Sequence, residues 1–146
     1  MVETDITTHV VLVTAFIKKD DKYLLSRRSV NDPQASGRWS TPGGKVDLET
    51  GDNIIEDTIK REIKEEVGIE IEDNIYYLGS DGFVRVSNHH AVALTFLAEW
   101  KSGEAQALEG QEEVAWYTLE ELKQMDYLPN YLKRRLQFLI NYLSSA

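Results

Sequence analysis

The sequence of 146 residues contains no cysteine. This absence excludes thiol catalysis, cysteine-ligated zinc and iron–sulfur clusters, and it fits a reducing compartment. Basic residues are also few, because the chain has 16 Lys and Arg but 25 Asp and Glu, which gives a net charge of −9. Such a charge argues against a dedicated nucleic-acid binder, which would carry a basic surplus. It does not exclude an anionic substrate, since a bound cation can reverse the local field.

Long apolar runs are missing as well. No segment reaches the ~18 apolar residues that a membrane span requires, and the N-terminus lacks the basic region of a secretory signal. We therefore expect a cytoplasmic protein without a membrane partner. The chain contains no internal repeat and no low-complexity linker, and its length suits one domain, so we expect a single domain over residues 1–146.

Most of the chain has the pattern of β-strands, interrupted by one clear helix. Strands are expected over residues 10–17, 23–28, 75–78, 83–86, 91–100 and 114–117, and residues 39–46 form a short segment that contains Pro42 and Gly43-Gly44. Turns are expected at Asp81-Gly82 and Ser102-Gly103. A capping box at Thr118 and Glu121 predicts a short helix through Leu122, and a last helix is expected to begin at Pro129. This order predicts an α/β sandwich with a mixed sheet.

The helix expected over residues 54–67 has two distinct faces. Its start carries the capping-box spacing Asn53 and Glu56, and Gly68 suits its end. Four apolar residues at i, i+4 spacing predict a stripe that faces the core: Ile55, Ile59, Ile63 and Val67.

Three carboxylates lie together beside that stripe, at Glu62, Glu65 and Glu66. Like charges within one turn repel each other, and a hard divalent cation would remove this repulsion, because Mg²⁺ and Mn²⁺ prefer carboxylate oxygens. The alternative is a solvated acidic face in which Arg61 pairs with neighbouring carboxylates.

Two segments carry a resemblance to a known family. The first reads Trp39-Ser40-Thr41-Pro42-Gly43-Gly44, and the second reads Arg61-Glu62-Ile63-Lys64-Glu65-Glu66-Val67-Gly68-Ile69. Together they resemble the Nudix box, whose second half is matched at every defined position. Residues 24–28 and 112–122 resemble other strands of that family, so the resemblance spans about residues 10–122. It implies a Nudix-type α/β/α sandwich with a mixed sheet.

The first half of the box departs from the family's pattern. The loop after Gly44 is three residues longer than usual, and Asn53 stands where the family has a glutamate. Asp47, Glu49 and Asp52 lie in this loop. Either Asp52 takes the place of that glutamate with a shift of one residue, or the role of the glutamate is absent in this chain.

The resemblance implies Mg²⁺- or Mn²⁺-dependent hydrolysis of a nucleotide's diphosphate linkage by a MutT-like pyrophosphohydrolase. The implied catalytic residues are Glu62 (as metal ligand or general base), Arg61 (which would orient the carboxylates) and Glu112. The implied metal ligands are Glu62, Glu65, Glu66 and the carbonyl of Gly43 or Gly44, with a further ligand from Glu109, Glu112 or Glu113. We favour Glu112 for that place, with Glu109 second. Candidate substrate contacts are Arg28, for a phosphate, and Trp39.

The substrate stays open between classes. A nucleoside triphosphate cleaved to monophosphate and pyrophosphate is the first expectation. ADP-ribose or a nucleotide sugar is the second, although the Pro that often follows the box in ADP-ribose enzymes is missing, since no Pro occurs between Pro42 and Pro129. A sensing module that binds a nucleotide without turnover is a third possibility. We expect no nucleic-acid polymer as partner, and a homodimer is left open.

Overall fold

The structure is a computed structural model that describes residues 6–34, 36–48 and 50–145. The expectations on the N-terminal five residues and on Glu49 lie outside the described residues. The strands are β1 (Val10–Lys19), β2 (Lys22–Arg28), β3 (Trp39–Ser40), β4 (Gly43–Lys45), β5 (Glu70–Ile71), β6 (Tyr76–Val84), β7 (His90–Ser102) and β8 (Gln111–Thr118). The helices are α1 (Ile54–Val67), α2 (Leu119–Gln124) and α3 (Asn130–Ser145).

The sheet is mixed, as the sequence predicts. β1 and β7 pair in parallel from Val10 opposite Ala91 to Lys18 opposite Glu99, whereas the other neighbouring strands pair antiparallel. β1 is nearly continuous in Val, Ile and Phe because its central residues are covered on both faces of the sheet.

Helices cover both faces of the sheet, which gives the expected α/β/α sandwich. The residues of each strand alternate between the faces, so Leu24 packs in one core with α1 while Tyr23 and Leu25 pack in the other with α2 and α3. No helix within the described ranges is long and apolar enough to cross a membrane.

The sheet opens between β1 and β2, and this opening positions the functional site. β1 and β2 pair only beside their turn, at Lys18 opposite Tyr23 and Lys19 opposite Lys22. Farther along, β4 pairs with β1 and β3 pairs with β2. The Thr14 hydroxyl lies 2.9 Å from the Pro42 carbonyl oxygen and so anchors the segment between β3 and β4 in the opening.

The first helix has the predicted bounds, but its predicted N-terminal capping box is wrong. Asn53 adopts a left-handed conformation with φ of 58°, and its side chain makes no capping hydrogen bond. The spacing to Glu56 therefore has no capping effect here. By contrast, the second predicted capping box is confirmed, because Thr118 and Glu121 make both of its hydrogen bonds.

The predicted turn at Asp81-Gly82 is also wrong. Both residues lie inside β6 and pair with Ala93 and Val92 of β7, so two predicted strands are one. The chain instead reverses after Arg85, whose backbone N–H donates to the His89 carbonyl at 2.9 Å. A buried partner explains the difference, since the Asp81 carboxylate accepts from Arg135 at 3.0 Å.

Smaller differences concern short elements. Residues 39–46 contain the two short strands β3 and β4, the two-residue strand β5 was not expected, and α2 continues to Gln124.

Candidate active site

The three box carboxylates of α1 differ in burial. Glu66 is 7% exposed, Glu62 is half-buried and Glu65 is exposed. Glu66 is buried because it lies three residues after Ile63 and seven after Ile59, on the side of α1 where both isoleucines are fully buried. Its Oε2 accepts a hydrogen bond from the Gly43 N–H at 3.1 Å, which ties α1 to β4.

The surroundings of Glu62 and Glu66 disfavour negative charge. Burial raises the pKa of Glu66 to about 7, although Arg28 and the Gly43 N–H act in the opposite direction. Burial, followed by the charge of Glu65, likewise raises the pKa of Glu62. Such shifts are found where carboxylates are held ready for a cation or a proton.

Close contacts with neighbouring atoms leave no room for a side chain at Gly43 and Gly44, which precede the long loop. A Cβ on Gly43 would lie 2.0 Å from the Val13 carbonyl oxygen of β1. A Cβ on Gly44 would lie 2.5 Å from the carboxylate of Glu62. Gly43 therefore permits the pairing of β4 with β1, and Gly44 leaves room for Glu62.

Arg61 contacts two carboxylates. Its Nη2 lies 3.6 Å from Glu62 and 3.5 Å from Asp47. Asp47 belongs to the long loop, where the sequence left the acidic partner open, and the structure brings it to the box arginine. Asp52 and Asn53 are both exposed.

The structure separates the three glutamates of the late loop. Glu112 and Glu113 pair with Arg27, at 3.1 Å and 3.3 Å. The charge of Glu109, however, acts on Glu66 and raises its pKa. In the same loop, the backbone N–H of Leu108 donates a hydrogen bond to the backbone carbonyl of Glu66 at 2.9 Å.

The two predicted substrate contacts lie in different places. Arg28 lines a cavity of about 410 Å³ together with Gly43 and Gly44, and its guanidinium lies 3.2 Å from Asp32 and 4.0 Å from Glu66. Trp39 is half-buried against Tyr117 and lines a separate depression.

The cavity also contains residues that the sequence did not single out. They come from four distant segments: Leu12 and Thr14 of β1, Arg38 of the loop before β3, Phe83 and Arg85 at the end of β6, and Tyr131, Arg134 and Arg135 of α3. No local pattern marks them, because they meet only when α3 packs on the sheet.

The donor atoms fit a hard divalent cation by their chemistry. Glu62 and Glu66 offer carboxylate oxygens whose raised pKa values a cation would lower. Among the described residues, no three Asp, Glu, His or Cys side chains are gathered closely enough to hold a metal ion by themselves.

The fold and the site define a class of protein: an α/β/α sandwich whose first helix holds carboxylates next to Arg28, which lines an arginine-rich cavity. Residues 8–137 match the NUDIX domain, which is most of the chain. The chain therefore belongs to the Nudix hydrolase family.

Among curated relatives, the NAD-capped RNA hydrolase NudC of Pseudomonas aeruginosa is 36% identical over 114 residues, which cover 77% of this chain. The chain spans only 36% of the length of that relative. The ADP-ribose pyrophosphatase of Methanocaldococcus jannaschii is 30% identical over 119 residues, covering 80% of this chain and 66% of that protein.

Among solved structures, a MutT NUDIX hydrolase from Burkholderia pseudomallei has a TM-score of 0.73 and 32% identity, covering 89% of this chain and 97% of the other. The NUDIX domain of Shewanella oneidensis NrtR, solved with ADP ribose, has a TM-score of 0.73 and 23% identity, covering 98% and 94%, and shows a likeness of fold alone.

Proposed function

We propose that this chain is a divalent-cation-dependent Nudix pyrophosphohydrolase that cleaves the diphosphate linkage of a small nucleotide. The observation that carries this proposal is the placement of Glu66. It is a buried box carboxylate that faces Arg28 at 4.0 Å, and Arg28 lines the arginine-rich cavity. Carboxylates that can hold a cation thus lie next to an arginine that can bind an anion, and this combination suits a diphosphate bound through a metal ion.

The cation would be held by Glu62, Glu65 and Glu66, with the carbonyl of Gly43 or Gly44 as a backbone ligand. Mg²⁺ or Mn²⁺ bound there supplies charge neutralisation for the diphosphate and acidifies a water molecule. Glu62, the half-buried member, is a ligand or the general base that accepts the proton of the attacking water.

Arg28 would bind a phosphate oxygen of the substrate, because the guanidinium of arginine matches the geometry of phosphate. Arg61 would hold Glu62 in place through their 3.6 Å ion pair. For the late-loop contribution we now favour Glu109, whose charge reaches Glu66, over Glu112, which pairs with Arg27.

The substrate class is argued from the cavity and the relatives. A nucleoside triphosphate remains one candidate, in agreement with the structural likeness to a MutT NUDIX hydrolase. A nucleoside diphosphate joined to a second group is the other, and the names of both curated relatives favour it. The second candidate also suits a cavity that extends well beyond the carboxylates.

The proposal is tested by incubating the purified chain with Mg²⁺ or Mn²⁺ and a panel of substrates: the nucleoside triphosphates, ADP-ribose, UDP-sugars, NAD and NAD-capped RNA. We expect metal-dependent release of a nucleoside monophosphate from at least one of them and none in excess EDTA. Unchanged turnover in EDTA would refute the metal site. Tight nucleotide binding without any turnover would support the sensing module instead.

A further inference from the structure

The cavity is lined by more arginines than binding of a diphosphate at the box carboxylates requires. Five of the seven arginines of the chain line it, although the chain has a net charge of −9. Against them the cavity wall carries one carboxylate, Asp32. Arginine offers several N–H donors in a rigid planar group and suits phosphate oxygens better than a single-point cation does.

Two of these five arginines have carboxylate partners. Arg28 pairs with Asp32 and faces Glu66. Arg135 is buried and makes two hydrogen bonds with Asp81, at 3.0 Å and 3.3 Å. These two guanidinium groups are held in position by the protein itself.

The other three arginines are not neutralised in this way. Within residues 6–34, 36–48 and 50–145, the side chains of Arg38, Arg85 and Arg134 have no carboxylate within ion-pair distance. The Nε of Arg85 is buried and has no hydrogen-bond partner in this part of the chain. A buried donor without a partner is unfavourable, and a bound acceptor would remove this cost.

Of these cations, Arg85 lies far from the carboxylates of α1, whereas Arg38 is next to Arg28, whose N–H donates to the Arg38 carbonyl at 3.0 Å. Glu66 contacts β4, whereas Arg85 follows β6, and β1 and β7 lie between those two strands. Three strand spacings correspond to roughly 14 Å. A diphosphate bound beside Glu66 therefore leaves the far arginines unoccupied, and the apolar Leu12, Phe83 and Ala93 line the cavity between the two ends.

We propose that Arg85 and Arg134 bind a phosphate monoester on the ribose of the substrate, separate from the diphosphate that is cleaved. This proposal rests on the proposed function only for the site of cleavage. The apolar middle of the cavity would accept the nucleoside, and the far arginines would select nucleotides that carry the additional phosphate.

Binding in the absence of metal tests the subsite independently of catalysis. Calorimetry in EDTA would compare nucleoside 3′,5′-bisphosphates of all four bases, and adenosine 2′,5′-bisphosphate, with the matching 5′-monophosphates. We expect at least one bisphosphate to bind about tenfold more tightly than its monophosphate, the effect of one or two charge-assisted hydrogen bonds. If no bisphosphate binds more tightly, the proposal is wrong.

Two neighbouring residues of α3 provide a matched pair of variants. Arg134 lines the cavity, whereas Lys133 is exposed and lies outside its lining. Arg134→Gln should reduce the preference to within about twofold, and Arg134→Lys should retain part of it, since a lysine keeps the charge but not the planar group. Lys133→Gln should keep the full preference. An undiminished preference in folded Arg134→Gln would overturn the assignment.

Turnover of paired substrates separates this proposal from the proposed function. With Mg²⁺, NADP would be compared with NAD, and coenzyme A with its 3′-dephospho form. We expect a higher kcat/KM for the phosphorylated member of at least one pair and a ratio near one in Arg134→Gln. Turnover without preference would refute the subsite alone. A binding preference without turnover of any nucleotide would refute the proposed function alone.

Discussion

Glu66 combines, in one side chain, the burial of a core residue and the charge of a ligand. It is 7% exposed, it accepts from the Gly43 N–H, and the guanidinium of Arg28 is 4.0 Å away. One hydrogen bond and a distant guanidinium do not compensate for burial, so its pKa is raised to about 7. The residue is therefore unfavourable for the stability of the metal-free protein and is explained by the function that we propose.

Glu66→Gln should separate activity from folding. We expect kcat to fall by at least about 10²-fold, because the amide keeps the size of the side chain but lacks the charge that a hard cation needs. Lys64→Gln on the same helix is the control. Lys64 is exposed and pairs with Glu70 at 3.0 Å, so kcat should change less than about threefold. Steady-state kinetics, with circular dichroism to verify folding, would check both variants. Full activity of Glu66→Gln would contradict the metal-site assignment.

The raised pKa of Glu66 predicts a pH dependence of stability. The ordinary value of 4.5 applies to the unfolded chain and about 7 to the folded one, so the folded state holds the proton more tightly between these pH values. In EDTA, the contribution of Glu66 should therefore make the protein more stable as the pH falls from 8 towards 5.

Glu66→Gln should remove this contribution and be more stable than wild type at pH 8, by up to about 3 kcal/mol, with the difference vanishing near pH 4.5. Urea unfolding at several pH values would measure it. An equal gap between the two proteins at all pH values would show that the carboxyl does not titrate as described.

At the scale of elements, the contact between α1 and β4 forms the site. The glycine pair allows the backbone of β4 to approach both β1 and the helix, and the loop between them carries Asp47 to Arg61. α1 itself ends at Gly68, whose φ of 74° favours glycine. Neither strand pairing nor helix propensity alone would produce this arrangement.

Substitution of the two glycines should have different consequences. Gly43→Ala places a Cβ 2.0 Å from the Val13 carbonyl oxygen, a backbone atom, so we expect loss of several kcal/mol of stability or failure to fold. Gly44→Ala meets the flexible side chain of Glu62, which can move. That variant should fold and lose activity by about 10-fold or more, because a displaced carboxylate no longer serves the reaction. Thermal unfolding and kcat of both variants would be measured. A stable, fully active Gly43→Ala would show that β4 does not approach β1 so closely.

At the scale of the whole molecule, two helical layers cooperate across one sheet. α1 supplies the carboxylates from one face, and α3 supplies Tyr131, Arg134 and Arg135 to the cavity from the other. The opening between β1 and β2 joins the two faces, since β1 and β2 separate after two residue pairs. The position of α3 on the sheet consequently decides the shape of the far end of the cavity.

The packing of α3 depends on a glycine of β6. A Cβ on Gly79 would lie 2.7 Å from the ring of Phe138, whereas a Cβ on Gly82 of the same strand would have its nearest contact at 3.6 Å. Gly79→Ala should therefore destabilise the protein by about 1–3 kcal/mol, and Gly82→Ala by less than about 0.5 kcal/mol.

Urea unfolding of the two variants would compare these costs. The double variant Gly79→Ala/Phe138→Ala would show coupling, because the clash is absent once the ring is removed. Equal stability of the two single variants would contradict the close packing of α3 on β6.

Patterns within a few residues determined much of this protein. The stripe Ile59, Ile63 and Val67 fixed the bounds and the inner face of α1, because helical periodicity is a local property. The box residues beside that stripe indicated the family and the carboxylates of the site. The run of Val and Ile in β1 indicated a buried strand with which β2 pairs, and the order of the strands with one intervening helix indicated the sandwich.

Only the tertiary structure decided what distant segments do together. It joined two predicted strands into β6, because Asp81 has a partner 54 residues away in Arg135. It placed the late loop against α1, where the Leu108 N–H donates to the Glu66 carbonyl, and it paired Glu112 with Arg27. It also gathered arginines from β2, from the turn after β6 and from α3 around one cavity. Such contacts depend on strand register and on the seating of α3, and a local sequence pattern carries no information on either.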